Sequence, residues 1–111
     1  MARFIHEGNS IDYTPGSDTA AGTVVVQGEL VGVAARDIKA NKLGALAVKG
    51  VFDFPKQTGG STAITAGALC YWDAANTRAT TSAAAGANKL IGKCVIAAAD
   101  ADATVRIRMS Q

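Results

Sequence analysis

Two thiols, one imidazole and a scatter of carboxylates are the chemically capable groups in this 111-residue sequence. Cys70 lies in the apolar run Leu69-Cys70-Tyr71-Trp72, and Cys94 opens Cys94-Val95-Ile96. A cysteine inside an apolar run reads as a small buried hydrophobe. To act as a nucleophile, Cys70 needs an adjacent base. His6 is the one histidine, and it falls in the N-terminal stretch. A single histidine also excludes a multi-histidine metal site within one chain. Asp53, Asp73, Asp100 and Asp102 sit at predicted strand ends or turns, where aspartate is favoured for local hydrogen bonds. Asp100 and Asp102 are spaced to chelate a metal, but the turn reading is preferred. Gly59-Gly60 and Ala85-Gly86 lack the following Lys-Ser/Thr of a phosphate-cradling loop. No set of residues assembles a nucleophile, a base and an oxyanion donor. The sequence therefore predicts no enzyme, no cofactor and no metal.

Two further groups point to binding. Arg106 and Arg108 alternate with apolar residues, which reads as a solvated sheet face or as ion-pair donors to a partner. Tyr71-Trp72 is the largest aromatic cluster and reads as core or as an anchor at a subunit interface.

Composition narrows the class. Eleven basic and nine acidic residues give a net charge of +2, too little for an electrostatic grip on nucleic acid. Hydrophobic residues make up 49% of the chain but aromatics only 5%, because alanine occurs 23 times. Charged residues are 18%, against about a quarter in ordinary domains. A surface built from Ala, Gly and Thr loses little side-chain entropy when covered. Such a surface suits a chain that packs against copies of itself or a partner. The apolar runs are too short to span a membrane. No apolar stretch follows Arg3, so the expectation is synthesis in the cytosol with reduced cysteines.

The elements that must position these residues are short strands. Thr23–Gln27 is β-branched, and Leu30–Ala34 follows a Gly28-Glu29 turn, so the two read as a hairpin. Ala34–Leu43 reads as a loop with one helical turn. Gly44–Lys49 reads as a strand, interrupted by Gly50 and continued by Val51–Phe54 up to Pro55. Ala68–Trp72, a short return at 79–81, and Leu90–Ile96 follow. Thr104–Met109 alternates cleanly and is the strongest strand signal in the chain. Ala21-Gly22 with Leu30-Val31-Gly32-Val33 is echoed by Ala66-Gly67 with Leu90-Ile91-Gly92-Lys93, as in a fold built from two related hairpin-based halves. The prediction is an all-β fold, a small barrel or sandwich of about seven to nine short strands. Residues 1–18 read as an extended N-terminal arm and residues 19–111 as one β-rich domain.

An ordered set of segments resembles the capsid cement, or head decoration, proteins of tailed phages. It comprises Ile11-Asp12-Tyr13-Thr14-Pro15, Ala21-Gly22-Thr23-Val24-Val25, Leu30–Ala34, and Gly44–Lys56 with Gly50-Val51-Phe52-Asp53-Phe54-Pro55-Lys56. Ala66-Gly67 with Tyr71-Trp72-Asp73, Ile91-Gly92 and Thr104–Met109 complete it. The chain departs from the family pattern at Thr23 and Ala68, where an acidic residue is expected. The resemblance implies a structural protein on the outer surface of the virion that clamps neighbouring major capsid subunits, commonly as a homotrimer. It implies the major capsid protein and the chain itself as partners, with no nucleic acid and no membrane. On that reading Phe4, Ile5, Ile11 and Tyr13 belong to a capsid-binding arm. Phe52, Phe54, Tyr71 and Trp72 are either core or trimer contact. The rivals are a small β-barrel docking module, an enzyme using Cys70, and another virion part such as a head-fibre or tail component.

Overall fold

A computed structural model describes residue 2 and residues 9–110. Nine strands fold into two antiparallel sheets stacked as a sandwich. The first sheet contains β1 (Ser10–Tyr13), β2 (Val24–Gln27), β3 (Leu30–Ala34) and β4 (Gly44–Ala47), in the order β1-β4-β3-β2. The second contains β5 (Gly50–Pro55), β6 (Leu69–Asp73), β7 (Arg78–Thr80), β8 (Lys89–Ile96) and β9 (Thr104–Met109), in the order β5-β9-β8-β6-β7. The all-β class holds, in its sandwich form rather than as a closed barrel.

The alternation read in β9 is real. Val105, Ile107 and Met109 are buried, whereas Thr104, Arg106 and Arg108 are exposed. Two readings need correction. Ala34–Leu43 contains no helical turn. Ile38 instead exchanges two backbone hydrogen bonds of 2.7 Å with Thr19 and packs its side chain where a Cβ on Gly44 would stand. Among the described residues, the one 3-10 turn is Ala84–Gly86, in the loop between β7 and β8. Gly44–Ala47 and Gly50–Pro55 are also not one interrupted strand. They belong to different sheets, and the chain crosses between them at Val48-Lys49. Of the segment assigned to an arm, Ser10–Tyr13 forms β1 and pairs with β4 over its whole length.

The echo between the halves is structural. Without β7, the second sheet repeats the strand order of the first: β5, β9, β8 and β6 stand for β1, β4, β3 and β2. The hydrogen bonds repeat with it. Gly22 donates to the Ala34 carbonyl and Gly67 to the Cys94 carbonyl, both at 2.7 Å. Ala34 donates to Thr23, and Cys94 to Ala68, both at 2.9 Å. The bridge Thr19–Ile38 is matched by Ile64–Ala98. Gly22 and Gly67 both have φ of +87°, a left-handed geometry that glycine adopts without a Cβ penalty.

The halves stack back to front. Cys70, Cys94, Ala98, Ile107, Phe52 and Phe54 of the second half face the shared core. Their counterparts Val25, Ala34, Ile38, Leu46, Ile11 and Tyr13 face away from it and form a second, smaller cluster. The first sheet meets the shared core with its opposite face, through Val24, Val26, Val31 and Val33. This is why β3 is buried on both sides and reads as a continuous apolar run rather than an alternating one.

Candidate binding surfaces

The aromatic residues divide by face. Phe52 and Phe54 stand edge to face, with centroids 6.4 Å apart, and Phe54 meets Trp72 at 6.1 Å. Phe54 and Trp72 are buried in the shared core, and Phe52 packs half-buried against it. Tyr71 points to the other side of β6, half-exposed, opposite Thr80 and Leu90. These four residues therefore form no single surface.

The N-terminal candidates divide as well. Phe4 and Ile5 lie outside the described residues. Ile11 and Tyr13 are on β1, half-buried against Ala34, Ile38 and Leu46. β1 pairs with β4 on one side and ends the sheet on the other. Among the described residues, no strand pairs with its outer row of backbone groups, the kind of edge to which another strand can add.

Both thiols lie inside the shared core. Cys70 and Cys94 are buried and unbridged. Burial first, then the neighbouring Cys94, pushes the Cys70 thiol from its ordinary 9.0 up to about 11. The Cys94 thiol donates to the Ile96 carbonyl at 2.9 Å. His6 lies outside the described residues. Among the described residues, no three potential metal ligands come together, and no helix is long and apolar enough to cross a membrane. Asp100 and Asp102 build turns: Asp100 accepts from the Thr62 and Ala63 amides, and Asp102 from the Ala99 amide.

One buried charge was not singled out in the sequence. Lys56 follows Pro55 and is only 6% exposed. Its ammonium donates to the carbonyls of Gln57, Asp102 and Asp100 at 2.7, 3.2 and 3.4 Å, and to the Thr62 hydroxyl at 3.4 Å. It ties the 57–62 loop to the 100–102 turn. The available signal was its position after Pro55, beside a polar Gly-Gly loop rich in carbonyls.

Two surface features remain. A groove of about 410 Å³ is walled by Ala35, Asp37, Ile38, Lys42, Leu43 and Ala45, beside the smaller core. On the opposite side, the outer face of the second sheet carries exposed apolar side chains among cations. Asp53 and Arg106 are direct cross-strand partners there and form a two-pronged pair, Nε–Oδ1 2.9 Å and Nη2–Oδ2 3.2 Å. The Arg106 hydrogen bond, aided by its charge, holds the Asp53 carboxyl below its ordinary value.

The sequence matches the model of the phage cement protein family over residues 5–109. The chain belongs to that family. No significant match was found among curated proteins or among solved structures. Membership supports a capsid-binding structural component of the virion. Phage cement proteins are structural virion proteins.

Proposed function

We propose that this cement protein binds the outside of the expanded phage head and stabilises it by clamping neighbouring major capsid subunits, as a homotrimer. The observation that carries the reading is the family match over residues 5–109. The chain's own architecture supports it. An open edge strand, β1, directly follows the N-terminal segment. Strand addition along such an edge gains affinity from main-chain hydrogen bonds and specificity from alternate side chains. Phe4 and Ile5, together with Ile11 and Tyr13, are the capsid-binding arm in this reading. An alanine-rich chain with 18% charge loses little side-chain entropy when its copies and the shell cover it. A ligand that binds only the mature lattice stabilises that lattice by its binding free energy.

The test is co-sedimentation with expanded heads of the phage that encodes the protein. Deleting residues 2–8 leaves β1 in place and is expected to weaken binding by roughly tenfold or more. Unchanged affinity removes Phe4 and Ile5 from the mechanism, leaving Ile11 and Tyr13 on β1 as the remaining candidates. Failure of the intact protein to pellet with heads rejects the capsid reading as a whole. Light scattering reports the assembly state, with three times the 11.2 kDa chain mass expected.

A further inference from the structure

A row of side chains crosses four strands on the outer face of the second sheet. Val51 stands directly opposite Arg108, Arg108 opposite Lys93, and Lys93 opposite Leu69. All four are exposed, with Val51 at 55% and Leu69 at 46%. Ile96, opposite Arg106, adds a third exposed aliphatic chain at 55%. Strand spacing makes the row roughly 15 Å long. Its centre holds two cations in direct cross-strand register, a destabilising placement for like charges. Among the described residues no carboxylate pairs with Lys93 or Arg108. Arg106, two residues from Arg108, is by contrast neutralised by Asp53.

The internal repeat shows what this face does elsewhere in the same fold. The corresponding row of the first half is Ser10, Ala47, Val33 and Val24, paired in the same sequence. There the Val33-Val24 end of the row is docked: Val33 is 7% exposed, and Val24 packs against the shared core, while Ala47 is half-buried and Ser10 exposed. The second half presents the same face uncovered, with Lys93 in place of Val33 and Arg108 in place of Ala47. A second copy laid symmetrically on this face would set cation against cation. An acidic strand would instead neutralise both charges and cover the flanking aliphatics.

We infer that the outer face of β5-β9-β8-β6 is a docking surface for an acidic, aliphatic-flanked segment of a partner protein, with Lys93 and Arg108 as its charge contacts. Under the capsid reading above, on which this step rests, the segment belongs to the capsid subunit. The contact is separate from the open edge of β1 and from the 410 Å³ groove, so one molecule touches the shell through two places.

Two measurements test this. In co-sedimentation with expanded heads, Lys93→Glu/Arg108→Glu is expected to bind roughly tenfold or more weakly, and wild-type binding to weaken as salt rises. Arg36→Glu/Lys42→Glu makes the same charge change beside the groove and is expected to bind like the wild type. Equal loss in both variants, or no loss in the first, overturns the proposal while leaving the capsid reading intact. So does a change in assembly state of the first variant, which would mark the face as a contact between copies. In the second measurement, the isotopically labelled protein is titrated with a short peptide alternating Glu and Val. Amide shifts centred on residues 51, 69, 93 and 108 are expected, and none with a Lys-Val peptide. Shifts elsewhere, or none, overturn the proposal even if the intact protein fails to bind heads.

Discussion

In the first half of the chain, Val33 and Ala47 occupy the places that Lys93 and Arg108 take in the second. In the first half Val25 and Ala34 stand where the second has Cys70 and Cys94. The two halves share strand order, the ladder register outside two bulges of the second half, and a pair of left-handed glycines, yet their faces have opposite fates. The first half buries its valine face against its neighbour and closes its other face with a small cluster of Ile38, Leu46 and Ala34. The second half builds the main core on the matching inner face and leaves its outer face charged. One backbone plan therefore serves as a wedge in one place and as a platform in another. The choice is made by a few cross-strand positions.

The strongest way to break the comparison is at its central glycines. Gly32 and Gly92 occupy matching places in β3 and β8. A Cβ on Gly92 would collide with the Arg108 carbonyl, whereas on Gly32 it would meet the Leu46 Cβ at 2.9 Å. Backbone gives way less readily than a side chain. Gly92→Ala is expected to cost on the order of 3 kcal/mol or more, and Gly32→Ala about 1–2 kcal/mol, in denaturant unfolding. The reverse ranking would show that the ladders are not held alike.

The buried ammonium belongs to the second half. Lys56→Met keeps much of the side-chain bulk but deserts the carbonyls of Gln57, Asp100 and Asp102. The expected loss is about 2 kcal/mol. Hydrogen exchange should accelerate in residues 57–62 and 99–103, while β1 and β4 stay protected. Uniform acceleration would mean that the two halves open as one.

Gly22→Ala and Gly67→Ala test the repeat directly. The φ of +87° is the same at both sites, and no atom lies within 4 Å of either added Cβ. Both substitutions are expected to cost about 1 kcal/mol, equal within error. A clear inequality would break the equivalence of the two turns.

The mildest effect is alkaline. The folded Cys70 thiol is raised from 9.0 to about 11, so the native state holds its proton more tightly than the unfolded chain does. That stabilisation is complete below pH 9 and is lost as pH rises towards 11. Cys70→Val installs the residue found at the matching place in the first half and should flatten this alkaline decline in an unfolding series across that window. An unchanged decline would assign it to other groups.

Local chemistry made most of the strands legible. Thr104–Met109 alternates because one face is buried and the other wet, and the β-branched run read at Thr23–Gln27 becomes β2 (Val24–Gln27) with only its first boundary moved. The echo around Gly22 and Gly67 was readable because both turns need the same rare backbone geometry. The separation of β4 from β5 was not, since nothing in Val48-Lys49 marks a change of sheet. The charged row was equally hidden. Arg106 and Arg108 look alike in sequence, and only register decides that one meets Asp53 and the other Lys93. A bulge between Cys94 and Ile96 brings Ile96 rather than Val95 opposite Arg106 without an obvious signal in the residues. Trp72 and Tyr71 were one cluster on paper but sit on opposite faces, as neighbours in a strand must.

Stacking the halves back to front has a geometric result. Two sheets related by a two-fold axis would present the same exterior above and below, and such a unit could be laid down either way up. Here the exteriors are unlike: one is a row of Val51, Arg108, Lys93 and Leu69 across four strands, the other a groove walled by loop residues such as Arg36, Asp37, Lys42 and Leu43. The molecule therefore has a top and a bottom, and a lattice of any symmetry can orient it by chemistry alone.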